Sequence, residues 1–150
     1  MTPIYYDGTT AKVADITDEW YSYKNSLWAN AVLIKSEKRD SYKEIDKVVS
    51  EDDILAYFVW IPRYEYTIKG TYGVNGTSPH NYLTHPAFTL GDKELSGIWV
   101  GKFETTYALN GGNATNTIIE DPTIKPEIMA LRNQKVSTQY LTSLISKIMD

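Results

Sequence analysis

The stretch "AYFVWIPRYEYTIKG", residues 56–70, sets five aromatic rings and a proline into one apolar run. Phe58, Trp60, Pro62, Tyr64, Tyr66 and Ile68 fall on one face at period two, and Tyr57, Val59 and Ile61 share the other face with Arg63, Glu65 and Thr67. The run therefore reads as a single strand, apolar on both faces where it starts and amphipathic where it ends. That is the pattern of a strand that enters through the middle of a domain and emerges with one face wet. Pro62 has no amide to donate, which predicts a bulge or an edge position there. Trp60 and Phe58 read as framework, and Tyr64 and Tyr66, at the amphipathic end, as exposed.

The segment "GIWVGKFETTY", residues 97–107, repeats the design, with Trp99 and Phe103 as further framework rings. If the two strands are neighbours, Arg63 and Glu65 are expected to meet Lys102 and Glu104 across the sheet. Between the strands lies "TYGVNGTSPHNYLTHPAFTLGDKELS", and after the second follows "ALNGGNATNTIIEDPT". Both are rich in Gly, Asn, Ser and Thr and read as long loops, the kind of segment on which binding residues concentrate.

Upstream, "PIYY", "KVAD", "EWYSY" and "LWANAVLI" read as short strands. The last two form an aromatic hairpin around Lys24, Asn25 and Ser26. "KSEKRDSYKEIDK", residues 35–47, carries both signs of charge and reads as a solvated loop or short exposed helix. Ser50 ahead of Asp53 reads as the cap of a short helical turn. At the other end, Ser137 is placed as an N-cap and Val136 with Leu141 as a hydrophobic staple. Leu141, Leu144, Ile145 and Ile148 supply an apolar stripe at helical spacing. The helix meets no glycine or proline stop, which predicts that the natural chain continues. The domain organisation expected is an N-terminal hairpin region with a charged linker over 1–50 and one α+β domain over 51–150.

Composition excludes several classes. The 150 residues carry a net charge of −4, with 15 scattered Lys and Arg, so no basic stripe offers itself to nucleic acid. No apolar run approaches the roughly 20 residues of a membrane span, and "MTPIYYDGTT" is no signal peptide. There is no cysteine, hence no disulfide, thiolate ligand or thiol nucleophile.

Two histidines, His80 and His85, lie in the first loop with Asp92 and Glu94 nearby. His85 before Pro86 reads as a turn-fixing residue rather than a metal ligand. "SEDD" at 50–53 and "EDP" at 120–122 lack the alternating oxygen spacing of a calcium loop. No nucleophile elbow or phosphate loop occurs. No cofactor and no metal are expected, and the chain reads as no enzyme.

With these elements in order, "YFVWIPRYEYTI", "GIWVGKFETTY" and "QKVSTQYLTSLISKI" together resemble the formylglycine-generating enzyme family, the sulfatase-modifying-factor domain. The resemblance covers residues 56–149 and implies an incomplete C-type lectin-like fold, the N-terminal half of the family domain. It is closer to variants found in genomes and prophages of gut bacteria, in which "WANAV", "HPAF" and "GIWVGKFE" occur together. Arg63 and Tyr64 stand where the family has a glycine pair, and the part carrying its catalytic cysteines has no counterpart. Oxidase chemistry is therefore not carried over.

What remains is a surplus of aromatic residues with polar tips, 12 Tyr and 4 Trp against 3 Phe. The resemblance and the two loops imply a non-catalytic binding or adhesion module on a phage virion or bacterial surface. Its partner would be a host glycan or protein met through Tyr64, Tyr66, Tyr72, Asn75, Tyr82, Tyr107, Asn110 and Asn113. The alternative is a structural or assembly protein, in which the aromatic strands and the last helix pack against another copy or a partner chain that completes the core.

Overall fold

Branched and aromatic side chains on both faces make "ILAYFVWIP" a strand that needs neighbours on both edges, and the computed structural model supplies them. It describes residues 1–66, 83–107 and 118–148, the last four by backbone alone. Strands β1 (Thr2–Tyr6), β2 (Ala11–Val13), β3 (Asn30–Ile34), β4 (Ile54–Pro62) and β9 (Gly97–Gly101) form one sheet in the order β2-β1-β3-β4-β9. Its β1–β2, β1–β3 and β3–β4 pairs are antiparallel. Two small antiparallel ladders add β5 (Glu65–Tyr66) with β6 (Leu83–Thr84), and β7 (Thr89–Leu90) with β8 (Lys93–Glu94). One α-helix, α1 (Val136–Ile148), closes the described chain.

The chain divides into two units, Met1–Val59 with Gly101–Asp150, and Trp60–Val100. The first holds a core of Ile4, Ala11, Val13, Val32, Ile34, Tyr42, Val49, Ile54 and Tyr57. Burying a side chain such as Ile4 or Ile34 contributes about 1.5–3 kcal/mol. The outer edge of β2 is not bare: Val49 and Asp46 donate to Ala11 and Val13 carbonyls, and Val13 donates to Lys47. A potential template for unwanted pairing is thereby covered. In the second unit the buried ring is Phe88.

Several expectations are corrected. The run 56–70 is not one strand, since β4 stops at Pro62 and two residues intervene before β5. Pro62 is not a bulge but the last residue of β4, three residues past Val59, where the β3 ladder ends; the next amide, Arg63, donates to the Ser96 carbonyl at 2.8 Å. The sheet's irregularity lies instead at Leu33/Ile34, opposite Ala56 and Ile54.

The aromatic hairpin at 20–34 shrinks to one bridge, Ser22 with Leu27, around a 3₁₀ turn at Tyr23–Asn25. Ser26, in the left-handed region at φ 58°, turns the chain too tightly for a longer ladder. Only β3 survives of the two strands. The charged segment is a short 3₁₀ helix over Ser36–Tyr42, exposed except for Tyr42, which enters the core. Ser50 makes no side-chain cap bond, as the turn it precedes is only Glu51–Asp53.

The helix is present, but shifted by one residue relative to expectation. It starts at Val136, so Ser137 lies inside it, and Val136 is 83% exposed rather than stapled to Leu141. Among its described side chains Thr138 and Thr142 are buried and Leu141 and Leu144 are exposed, while the side chains of Ile145 and Ile148 lie outside the described residues. The reason is a hydrogen bond, because the Thr142 hydroxyl accepts from the buried Ile119 amide at 3.2 Å. An unpaired amide there costs more than a half-exposed leucine.

Candidate functional site

Of the eight binding residues expected, Tyr72, Asn75, Tyr82, Asn110 and Asn113 lie outside the described residues. So do His80 and Ile68. Tyr64 and Tyr66 come together, with ring centroids 6.3 Å apart. Tyr64, 48% exposed, stands edge-on to the buried Phe88 at 5.2 Å, and Tyr66 lies 6.4 Å from the His85 ring. Tyr107 is half-buried and belongs to the other unit.

His85 does what its place before Pro86 predicts. Its Nδ1 accepts from the Ala87 amide at 3.1 Å, capping a 3₁₀ turn over Pro86–Phe88 in which proline supplies the first residue. That turn drives Phe88 inward, and Phe88 in turn supports Tyr64. The expected cross-strand charge cluster is corrected. Arg63 instead forms a two-pronged pair with Glu94, at 2.6 and 3.0 Å, and Lys102 donates to Asn30 Oδ1 at 2.9 Å. The Arg63 guanidinium holds the Glu94 carboxyl below the usual carboxylate range.

The framework rings are uneven. Trp60 and Trp99 are half-buried and meet edge to face at 5.3 Å. Phe103 is exposed and only caps the edge of Tyr57, at 5.8 Å, so it is no core residue. Buried Tyr57 donates to the Glu51 carboxylate, and burial pushes its phenol well above the ordinary tyrosine range, with the Glu51 hydrogen bond adding to the rise.

Two clefts open in the first unit. The larger, about 580 Å³, is lined by Lys102, Phe103, Glu104, Lys125, Glu127 and Ile128 among others. Its ammonium groups are engaged: Lys125 Nζ donates to the Glu51 carbonyl at 2.8 Å and pairs with the Glu51 carboxylate at 3.2 Å. Burial lowers the Lys102 ammonium's pKa from its ordinary value. The smaller, about 360 Å³, lies beside α1 along Gln139, Thr142 and Ser143. No nucleophile and base are paired in either among the described residues. No group of three or more His, Asp or Glu among the described residues converges as a cation site.

A feature that the hairpin reading obscured is a run of rings over residues 20–28, in which Tyr21, Tyr23 and Trp28 are exposed and Trp20 is half-buried. Trp20, Tyr21, Tyr23 and Trp28 follow one another at centroid separations of 5.8, 5.4 and 5.3 Å. The sequence signal was the "WYSYKNSLW" composition itself, in which Ser22 is buried, Trp20 half-buried and the rest exposed.

Comparison with protein-family models, with curated proteins and with solved structures gave no match to this chain.

Proposed function

We propose that the chain is a non-catalytic binding module, displayed on a phage virion or bacterial surface, whose loops contact a host glycan or protein. The observation that carries this reading is the Tyr64–Phe88 arrangement. A half-exposed tyrosine is propped on a buried ring, giving a polar-tipped anchor at low entropic cost. Likeness to the formylglycine-generating enzyme family, and through it to a C-type lectin-like fold, supports the reading as analogy only. The test is binding of the purified chain to intact gut-bacterial cells. The double variant Tyr72→Ala, Tyr82→Ala is expected to abolish binding without moving Tm, and full binding by that variant would exclude this loop as the site.

One observation favours assembly as a second reading. Helix α1 turns Tyr140, Leu141 and Leu144 outward, an apolar face of the kind that oligomers cover. Under that reading the sedimenting mass rises with concentration and Leu144→Lys returns it to the monomer. A monomeric mass at every concentration would remove it.

A further inference from the structure

From the exposed ring run at residues 20–28 we infer a stacking site for uncharged oligosaccharides, separate from the loops above. Four backbone hydrogen bonds make this loop a rigid clip. Ser22 and Leu27 exchange amide–carbonyl bonds at 2.9 and 2.8 Å, Asn25 donates to Ser22 at 3.1 Å, and Ser26 donates to Tyr23 at 3.2 Å. The clip is fastened to the sheet, since Ala29 is buried and the Asn30 side chain donates to the Trp28 carbonyl at 2.7 Å, where β3 begins. Inside the clip Ser22 is buried. Outside it Tyr21 is 41% exposed and Trp28 50% exposed. The rings thus hold fixed positions in water before any ligand arrives, which limits the ordering cost of binding.

The chemistry of the clip narrows the occupant. All four rings are Tyr or Trp, and none is Phe. Tyr and Trp side chains combine an electron-rich face, which suits the C–H face of a pyranose, with a donor at the rim, which suits its hydroxyl edge, and Tyr21 and Trp28 are the most exposed of the four. Within residues 15–28, Asp18 and Glu19 are exposed and Asp15 is half-exposed, against Lys24 as the one basic residue of that segment. Carboxylates accept hydrogen bonds from sugar hydroxyls but repel sulfated or sialylated glycans, nucleic acid and anionic lipid. The same charges oppose self-association, because a two-fold contact would bring each acidic flank against its own copy.

The test uses the full chain, titrated with cellohexaose, chitohexaose and maltohexaose as neutral probes and heparin as the anionic control, followed by calorimetry and tryptophan emission. Saturable binding of at least one neutral hexasaccharide is expected, with none of heparin. Tyr21→Ala combined with Trp28→Ala should weaken it at least about tenfold, the loss of stacked rings, with Tm unchanged because both side chains are exposed. Binding by none of the three probes, tighter binding of heparin, or full affinity in the double variant would each overturn the inference. So would loss of saccharide binding on Tyr72→Ala, Tyr82→Ala alone, a result that would leave the loop-binding reading standing. Conversely, cell binding that survives the loop variant while saccharide binding follows Trp28 would sink the loop reading and keep this one.

Discussion

At the scale of single residues, Tyr57 and Asp7 contribute pH dependence of opposite sign. Tyr57 is 2% exposed and its phenol is raised by burial and then by its bond to Glu51. A group whose folded value lies above its unfolded one stabilises fully below the unfolded value, near pH 10, and that stability is lost as pH rises toward the folded value. Tyr57→Phe keeps the ring and removes the hydroxyl. Urea unfolding should show it about 1 kcal/mol less stable at neutral pH, with less loss of stability above about pH 10. A variant as alkali-sensitive as the parent would contradict this account of Tyr57.

Asp7 behaves in the opposite sense. Its carboxylate takes the Lys12 ammonium at 2.8 Å and the amides of Thr10 and Thr9 at 2.9 Å each, and these hold it well below the usual carboxylate range. A depressed folded value means stability present above the unfolded value, near pH 4, and lost as pH falls toward the folded one. Asp7→Asn should therefore lower Tm at neutral pH and flatten its decline below about pH 4. Unchanged acid sensitivity in that variant would place the titrating group elsewhere.

At the scale of elements, Gly97 and Thr142 decide how pieces pack. A Cβ on Gly97 would run into the Trp60 indole and sit 2.5 Å from the Ile61 carbonyl, so β9 approaches β4 only without a side chain there. Gly97→Ala is expected to cost about 1–3 kcal/mol by calorimetric melting, as overpacking does. For α1 the ranking inverts what an amphipathic reading implies. Thr142→Val, which strands the Ile119 amide, should cost about 1–3 kcal/mol, and Leu141→Gln should stay within about 0.5 kcal/mol. Equal costs would mean that the helix docks by its leucines.

These two elements also show what can be read in a sequence. Strand β4 was legible because "ILAYFVWIP" is apolar on both faces, and the His85 turn because histidine before proline suits a cap. The helix was legible in place but not in orientation. Its inward face is set by the amide of a residue 23 positions away, and no local period encodes that. The hairpin at 20–34 misled for a related reason. Aromatic residues raise strand propensity whether they face a core or water, and here they face water. Of the candidate site, the exposure of Tyr64 was legible from the amphipathic end of the run. Its support by Phe88 depended on a turn that brings the two rings together.

At the scale of the whole molecule, exposed aromatic side chains stand beside exposed aliphatic ones such as Leu90 and Leu141 among the described residues. The aromatic ones gather at Tyr64 and on the Tyr21–Trp28 clip. Neither is joined to a catalytic constellation among the described residues, and recognition is the role proposed for both. Hydrogen exchange of the full chain, free and bound to bacterial cell envelopes, tests that claim most directly. New protection is expected in amides between residues 64 and 117, in those of residues 20–28, or in both, with strands β1, β2 and β3 themselves unchanged. Protection confined to α1, or none anywhere, would contradict it.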